Sequence, residues 1–496
     1  GDQLMCGNSL IGARRRLYRP ASLTTTTKGM AWYDHEPERV ELTASARLGK
    51  GVFHFLTGDP GMCDYTDKVI KSLEPEQVKK MKQWNKRFTA AYCDADIELM
   101  QQLSSVIDGL WREVAKSRRE LADISHDALH IYGWENEEPD EDAQSSGTRK
   151  GRKKLTVSVK DAMLNQSYHS IGATNSAEYA RLKLAMDYWC ALWFWPIEDA
   201  DKLPSREEYL QDMQMILNGR LFDPDEVLIN PQWDVNERLA HESDDLTLFN
   251  AETANEKELL AQPHGYIRVN TVNLEQLCKT NPRLQVVRNV ADRQHFFHLE
   301  LEFADVFADG GFDFMVGNPP WVKLQWEAKN ALADADPQYA VHDMSASDLN
   351  KVLPEVLDSS DVLRSHFIGE YQSYAGQSAF FNAMGNYPLL QGQQTNLFRC
   401  FLPNAWEYTR QADGVSAFVH PDEVYADMKA GMLREQMLRR LRYHFQFLNE
   451  KKLFDGVDHH TSFSLNIYDN SDTARVQFDS IWKLYLPIQS IPRCSR

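Results

Sequence analysis

The pentapeptide Gly317-Asn318-Pro319-Pro320-Trp321 combines residue types that can recognise a planar amine. Each proline fixes its own φ and holds the preceding residue in an extended conformation, so the turn is stiff. It presents the side-chain oxygen of Asn318 and the backbone carbonyl of Pro319 as hydrogen-bond acceptors, with the flat apolar face of Trp321 beside them. Gly317 lets another molecule approach the backbone closely. We interpret this turn as two fixed acceptors next to a stacking surface.

The exocyclic amine of adenine fits such a site. Its two N–H groups are donors, but its lone pair is delocalised into the ring, which makes the nitrogen a poor nucleophile. Two acceptors would bind both hydrogens, favour a pyramidal nitrogen and stabilise the positive charge that develops during methyl transfer. A base inside a duplex must first be flipped out, and a stacking aromatic side chain can then hold it. The activated methyl group would come from a cofactor.

The simplest alternative is that the pentapeptide is only a turn. The chain contains a comparable segment, Asn230-Pro231-Gln232-Trp233, which also follows an apolar run but lacks the glycine and the second proline. We interpret that copy as an ordinary turn. All the chemical elements coincide only at 317–321, which is therefore the candidate site.

The first half of the chain predicts helices. Apolar residues recur at helical spacing from about Pro75 to Leu129 and again from Ser176 to about Leu217. The aromatic block 188–195 is interpreted as core rather than as a base-stacking platform, because no basic residue interleaves it. Residues 135–154 change from acidic to Ser/Gly-rich to basic and predict a disordered loop, whose basic cluster either faces DNA phosphates or is simply solvated.

From Phe296 onward the pattern is α/β. An extended segment at 296–303 precedes an apolar strand at 312–316 that leads into the pentapeptide. The later predicted elements are a helix at 396–410, a strand at 415–419, a basic helix at 423–442, and strands at 445–448 and 462–468. Strands that alternate with helices predict a mostly parallel sheet. Ligands bind such sheets at the carboxyl ends of the strands, where the pentapeptide falls.

The predicted helix 423–442 offers candidate DNA contacts. Its basic residues are Lys429, Arg434, Arg439, Arg440 and Arg442. The alternative is an amphipathic surface helix whose apolar residues face the sheet, and both descriptions can hold for one helix. The apolar residues in question are Met432, Leu433, Met437, Leu438 and Leu441.

The composition limits the classes of function. The formal net charge of −18 counts against a DNA-binding surface, although a basic face can sit on an acidic body. No apolar stretch is long enough to span a membrane. The seven cysteines are scattered without a CxxC pair, which argues against a disulfide framework and a zinc site and favours a reducing cytoplasm. We predict no metal site.

The approach to the pentapeptide, Phe297 to Phe307 and then Gly310-Gly311-Phe312-Asp313, resembles that of the gamma-type amino-methyltransferases. Within that group the sequence is similar to the large adenine methylases of type IIG restriction–modification systems and of BREX- and DISARM-like phage defence. The resemblance implies a partial Rossmann-like sheet of a methyltransferase that uses S-adenosylmethionine, with a large, mainly α-helical insertion. It implies methylation of the N6 amine of a flipped adenine in double-stranded DNA.

The resemblance also implies roles for residues of the motif. Asn318 would accept from the target amine, the Pro319 carbonyl would be the second acceptor, and Trp321 would stack on the base, with Pro320 completing the catalytic turn. Lys323 is similar to a basic residue common just after this motif and would bind substrate.

Two other segments resemble parts of the same family. Cys6 to Gly12 resembles the segment that closes the S-adenosylmethionine pocket, so Gly7, Asn8 and Ser9, together with Gly317, would bind the cofactor. Thr461-Ser462-Phe463-Ser464 resembles the loop that contributes to the base pocket, which makes Phe463 a candidate for substrate binding. Arg439 and Arg440 are candidates for binding DNA because of the charge of the predicted basic helix, and not because of the resemblance.

The resemblance divides the chain into four parts. Residues 1–20 would end a cofactor-binding subdomain, 21–295 would be the insertion, 296–480 the catalytic core and 481–496 the start of a downstream region. The glycine-rich cofactor signature of the family should precede Gly7, where no residues remain to hold it. We therefore expect a fragment that is inactive alone, from a protein with a target-recognition domain and a restriction or defence-system partner subunit.

Two other functions remain open. A related enzyme could methylate cytosine N4 or a glutamine side chain, although cytosine enzymes favour Ser-Pro-Pro. A non-catalytic, methylase-like scaffold could hold DNA for a partner, which the acidic balance favours slightly. Identification of the amine that gains a labelled methyl group would distinguish these functions.

Overall fold

The computed structural model describes residues 4–27, 31–42, 51–125, 178–218, 274–341, 346–411, 413–471 and 476–487. The predicted disordered loop at 135–154, its basic cluster and the segment 230–233 lie outside these residues. Within the described ranges the fold is mixed α/β with a helical majority and two β-sheets. No helix in these ranges combines the length and apolarity needed to cross a membrane.

The smaller sheet has three antiparallel strands in the order β2-β1-β3. They are β1 (Arg16–Tyr18), β2 (Glu38–Arg39) and β3 (Val52–Phe53). The sheet therefore joins residues from both sides of the predicted boundary at residue 20.

A helical layer packs on this sheet. Its members are α1 (Lys68–Leu73), α2 (Pro75–Phe88), α3 (Asp94–Ser125), α4 (Glu178–Ala191), α5 (Arg206–Asn218), α6 (Leu274–Thr280) and α7 (Pro282–Gln294). The aromatic block 188–195 is entirely buried, and its rings pack against one another and against Phe380. The interpretation of this block as core is therefore confirmed.

The larger sheet has five strands in the order β4-β5-β7-β6-β8. They are β4 (Phe314–Gly317), β5 (Val415–Pro421), β6 (Leu441–Leu448), β7 (Ser462–Asp469) and β8 (Asp479–Leu484). The pairs β4–β5 and β6–β8 are parallel, whereas β7 runs antiparallel to both β5 and β6. Four of the five strands therefore point in the same direction, as predicted for a mostly parallel sheet, and β7 is the antiparallel exception that makes the sheet mixed. The connection from β6 to β7 contains only one 3₁₀ turn, and a parallel pairing would need a longer crossover.

Two predicted elements have a different form in the structure. The segment 296–303 is not extended, because α8 (Leu299–Glu302) and α9 (Ala304–Ala308) begin within or directly after it. Its apolar residues alternate as in a strand, but the buried Leu301 is followed at a helical spacing of three by the buried Ala304 and Phe307, which lie just after the segment.

The basic helix is also broken. Residues 423–442 form α15 (Glu423–Ala426), a 3₁₀ turn (Met428–Ala430) and α16 (Gly431–Arg440), and the last two residues already belong to β6. Asp427 causes the break, because its backbone is extended and its carboxylate accepts a hydrogen bond from the Lys429 N–H at 2.9 Å. The predicted helix at 396–410 is confirmed as α14 (Leu397–Tyr408).

Four helices between β4 and α14 were not predicted. They are α10 (Ala328–Ala335), α11 (Gln338–Val341), α12 (Ala346–Asp358) and α13 (Asp361–Asn382). Leu349, Leu353 and Leu357 are buried at a spacing of four, which is the signal that would have identified α12.

Among the residues that the structure describes, β4 lies at an edge of the larger sheet and pairs only with β5. Phe314 and Val316, which share one face of the strand, are 59% and 68% exposed. An edge strand with exposed apolar side chains is unusual unless another polypeptide covers it.

Candidate functional site

The pentapeptide lies where the carboxyl ends of β4, β5 and β6 form one end of the larger sheet. These three strands point in the same direction, since β7 is antiparallel to both β5 and β6. Residues that follow β4, residues that follow β5 and the loop 449–461 therefore meet at one edge. This is the edge at which open α/β sheets bind ligands.

The two proposed acceptors are free within the described part of the chain. The Asn318 side chain is exposed, and no hydrogen bond between described residues engages it or the Pro319 carbonyl. Pro319 is buried and Pro320 is exposed. The turn thus combines an anchored proline with two acceptors that can receive donors from another molecule.

Trp321 is held from both ends. Its indole N–H donates to the Val419 carbonyl at 3.3 Å, and its ring lies 4.7 Å from the Phe454 ring and 5.6 Å from that of Phe463. Phe463 is only 4% exposed and stacks on Phe447, so it supports the indole and presents little surface of its own. Whether Phe463 touches a substrate stays a prediction.

Gly317 is needed for a contact within the protein. A Cβ at this position would lie 3.1 Å from the Phe418 ring, the side chain of its register partner on β5. The glycine therefore lets β4 approach Phe418, which is a different reason from the close approach of a ligand. Its predicted cofactor role remains untested.

The segment after the motif is clamped onto the start of α14. The Leu324 N–H donates to the Thr395 carbonyl and the Leu397 N–H donates to the Val322 carbonyl, each at 2.9 Å. Between them Lys323 forms an isolated antiparallel bridge with Asn396. The Lys323 side chain is 56% exposed.

Glu423 connects this clamp to the end of β5. Its carboxylate lies 3.3 Å from the Lys323 ammonium, 2.9 Å from the Asn396 amide nitrogen and 3.4 Å from the Arg399 guanidinium. Asn396 is the N-cap residue of α14, yet its side chain does not cap the helix and its buried Oδ1 has no hydrogen-bond partner among the described residues. The Asn396 side chain therefore binds Glu423 instead of capping α14.

The loop 449–461 is fixed by one fully buried side chain. The Asn449 amide donates to the carbonyls of Phe454 at 3.0 Å and Val457 at 2.9 Å, and its oxygen accepts from the Phe454 N–H at 3.1 Å. The Thr461 N–H closes the loop on the Asp458 carbonyl at 3.0 Å. Because this loop carries Phe454, Asn449 indirectly positions Trp321.

A buried polar network lies beneath the site. Asn466 contacts His420 at 2.9 Å, Tyr425 at 2.8 Å and His444 at 2.8 Å, and His420 contacts Tyr468 at 2.8 Å. Burial lowers the pKa of His420 to about 4, so its imidazole is neutral at pH 7. The network fixes the register of β5, β6 and β7.

Asp422, Glu423, Asn396 and Asn449 were not identified by sequence reasoning. Asp422 accepts from the Ser464 hydroxyl at 2.5 Å and from the Gln446 amide at 2.7 Å. One signal was available, because Asp422-Glu423 follows the end of β5 in the same way as the pentapeptide follows β4. The other residues act through partners that are remote in sequence.

The predicted cofactor segment packs against the start of the predicted catalytic region. The Asn8 N–H donates to the His295 carbonyl at 2.7 Å, and the Phe297 N–H donates to the Ile11 carbonyl at 3.0 Å. A Cβ on Gly7 would lie 2.7 Å from the Phe297 ring, and the Asn8 side-chain oxygen accepts from the Leu10 N–H at 3.3 Å. No hydrogen bond between described residues joins Gly7, Asn8 or Ser9 to the pentapeptide.

Arg439 and Arg440 lie at the opposite edge of the sheet. They end α16 directly before β6 begins, whereas the pentapeptide follows the end of β4. Arg439 pairs with Glu435 at 2.6 Å, and Arg440 lies 5.1 Å over the Trp406 ring. The structure does not bring these arginines to the motif, and their DNA contact stays a prediction.

A cleft of about 230 Å³ opens beside the segment that follows the motif. The rings of Trp326 and Tyr374 lie on its wall, together with the carboxylates of Glu327, Asp334 and Glu370. These carboxylates would repel phosphate, so the cleft is unsuited to the DNA backbone.

The comparisons with known proteins agree with the position of the motif. Residues 173–352 match the family model described as Eco57I restriction-modification methylase, and this range includes the pentapeptide. The match covers less than half of the chain. A search of curated proteins finds none that matches. Over this range the chain is similar to a restriction-modification methylase family.

Proposed function

We propose that this chain carries the target-base side of a restriction–modification or phage-defence DNA methyltransferase that modifies the N6 amine of a flipped adenine. The observation that carries the proposal is the pair of free acceptors at Asn318 and Pro319, beside Trp321 and within the range that is similar to restriction-modification methylases. The subtype, the adenine specificity and the flipped base rest on the chemistry of this turn and on the resemblance of its motif.

The proposed chemistry follows from the two acceptors. The amine would donate one hydrogen to Asn318 and the other to Pro319, which directs its lone pair away from the ring plane. As nitrogen gains positive charge, both hydrogen bonds become charge-assisted and stabilise the transition state more than the ground state. The proton leaves nitrogen after alkylation, so no general base with a shifted pKa is required.

The methyl donor is proposed to be S-adenosylmethionine, which would supply an electrophilic methyl group. Gly7, Asn8 and Ser9 stay predicted contacts of this donor; Gly7 packs against Phe297, and the Asn8 side-chain oxygen accepts a hydrogen bond from the Leu10 N–H. We propose that the main part of the donor pocket lies on polypeptide that pairs with the free edge of β4. The described residues of this chain would then bind and orient the target amine.

The test is transfer of a labelled methyl group to DNA by the natural polypeptide that contains this chain, followed by digestion to nucleosides. We expect label in N6-methyldeoxyadenosine. The Asn318→Ala variant should lose about 100-fold or more in kcat with little change in DNA affinity, since it removes a contact that strengthens in the transition state. Asn318→Asp keeps acceptor oxygens and should retain more activity than Asn318→Ala.

Asn330→Ala is the matched control, since Asn330 is exposed, lies near the motif and makes its one side-chain hydrogen bond among the described residues to Glu327. Label in N4-methyldeoxycytidine would show that the substrate is cytosine and not adenine. Label in protein would show that the substrate is a side-chain amine. Wild-type protein that binds DNA without transferring label would favour a scaffold. Full activity of Asn318→Ala would contradict the assigned role.

A further inference from the structure

We propose that Asp458, His459 and His460 form a binding site for a divalent transition-metal ion of the zinc, cobalt and nickel class. The proposal is independent of methyl transfer and concerns the loop 449–461. One ligand atom from each side chain lies within 4.8 Å of the others. Among the residues the structure describes, this is the only group of three metal-ligating side chains that converge in this way.

The donor atoms are available to an ion. All three side chains are exposed, and the two imidazole rings lie 3.8 Å apart. No hydrogen bond between described residues engages either imidazole. One carboxylate oxygen of Asp458 accepts from the His460 N–H at 2.7 Å, which leaves the other oxygen free to bind a metal.

The distances require only small side-chain rotations. Donor atoms around a tetrahedral zinc ion with bonds of about 2.0–2.1 Å lie roughly 3.4 Å apart. Donors within 4.8 Å of one another must therefore approach by at most about 1.5 Å, which exposed side chains do without moving the backbone.

The backbone that carries these donors is already ordered. The fully buried Asn449 amide binds the carbonyls of Phe454 and Val457, and Thr461 closes the turn on Asp458. A ligand set on a fixed turn loses little conformational entropy when the ion binds, which raises its affinity.

The donor set selects the class of ion. Two imidazole nitrogens and one carboxylate oxygen suit zinc, cobalt, nickel and copper, whereas magnesium and calcium require oxygen ligands. Three protein ligands leave at least one coordination position open to water or to another molecule. The scattered cysteines led to the prediction that there is no metal site, but these ligands are histidines and a carboxylate on a turn.

The experiment is a titration of the full chain with Co²⁺, followed by visible absorption and by equilibrium dialysis in excess Mg²⁺. We expect one saturable Co²⁺ that Mg²⁺ does not displace. His459→Asn, His460→Asn and Asp458→Asn should each weaken it by about tenfold or more. Asp458→Asn keeps the acceptor for the His460 N–H and therefore tests the charge without releasing the turn.

The matched control is His35→Asn, which removes another exposed histidine that has no converging ligands among the described residues. The chain has fifteen histidines, so the readout is the difference between parent and variant. Co²⁺ should raise the thermal midpoint of the parent and of His35→Asn, but not that of the double variant His459→Asn/His460→Asn. Identical Co²⁺ isotherms for parent and double variant would overturn the proposal, as would equal displacement by Mg²⁺.

Discussion

Two asparagine side chains have opposite environments at the candidate site. Asn318 is exposed and its amide makes no hydrogen bond to a described residue, whereas Asn449 is fully buried and its amide is saturated by the backbone of one loop. The first is available to a substrate and the second can only organise the protein. Substitution of Asn318 should therefore affect the reaction, and substitution of Asn449 should affect the stability of the fold.

Asn449→Ala should destabilise the fold. The substitution leaves the Val457 carbonyl and the Phe454 N–H without their partner and removes one of the two donors to the Phe454 carbonyl, which also accepts from the Val457 N–H. We expect it to lower the free energy of unfolding by about 2–3 kcal/mol. Urea denaturation measures the change. Asn330→Ala, which removes one exposed contact, should change it by less than about 0.5 kcal/mol, and equal values for the two variants would contradict the role of Asn449.

Asp59 predicts a pH dependence of stability. Burial raises the pKa of Asp59 to about 7, although the Gly61 N–H bound to its carboxylate at 2.8 Å opposes the shift. The folded state then holds this proton more tightly than the unfolded state, so stability falls as pH rises from about 4 to 7 and stays low above that. The loss is at most about 4 kcal/mol.

Asp59→Asn isolates this effect, because asparagine is neutral at every pH and keeps an oxygen for the Gly61 N–H. Denaturation of both proteins between pH 4 and pH 8 should give similar stabilities at pH 4 and a more stable variant at pH 8. A constant difference between the two across this range would show that Asp59 does not titrate in this window.

At the scale of elements, sequence patterns succeeded where the signal is local. The helix α14 and the strands β5 and β7 follow from apolar periodicity within a few residues, and the pentapeptide follows from its own composition. The prediction of an extended segment at 296–303 was wrong, because its apolar residues alternate as in a strand although the buried residues have helical spacing.

The remaining features depend on contacts between distant residues. The direction of β7 is set by its pairing with β5 and β6, and the role of Glu423 depends on Lys323, which precedes it by a hundred residues. Nothing near Asn449 in the sequence shows that it is buried. Such residues can be identified only after the fold is known.

Two helical glycines give a matched prediction about element packing. A Cβ on Gly109 in α3 would meet no atom within 4 Å, whereas a Cβ on Gly376 in α13 would lie 2.5 Å from the Phe194 ring and 2.7 Å from the Trp193 carbonyl. Gly109→Ala should stabilise the protein by about 0.5–1 kcal/mol, since alanine favours the helix. Gly376→Ala should destabilise it by about 1–3 kcal/mol through overpacking.

Thermal and urea denaturation of both variants provide the test. The two substitutions are chemically identical and both lie inside helices, so helix propensity alone predicts the same sign for each. Stabilisation by Gly376→Ala would mean that α13 does not pack on the aromatic block as described.

At the scale of the whole molecule, the start of the described chain is joined by ion pairs to α14, near its other end. Arg14 and Arg16 both contact Glu407 on α14, at 2.8 and 2.5 Å. Burial alone would raise the pKa of Glu407, but the two guanidinium groups hold it well below its usual range. One hydrophobic core cluster includes residues from Leu10 to Tyr468, and the division of the chain into four parts stays a prediction.

The edge strand β4 differs from this well-packed core, because part of it is exposed to solvent. Met315 packs against the core, yet its neighbours Phe314 and Val316 are 59% and 68% exposed on the strand that leads into Asn318. If polypeptide carrying the donor pocket pairs there, a charge on this face would be buried in the assembled enzyme and would cost several kcal/mol.

The double variant Phe314→Lys/Val316→Lys should therefore behave differently in the chain of residues 1–496 and in the natural polypeptide. In the chain of residues 1–496 the free energy of unfolding should change by less than about 0.5 kcal/mol, because both side chains are mostly solvated. In the natural polypeptide, equilibrium binding of labelled S-adenosylmethionine should weaken by about tenfold or more, since the lysines would separate β4 from its neighbour. Met428→Lys is the control, because Met428 is an apolar side chain that is 94% exposed elsewhere on the surface. Donor binding equal to that of Met428→Lys would mean that the edge of β4 faces solvent in the enzyme and that the donor pocket is built elsewhere.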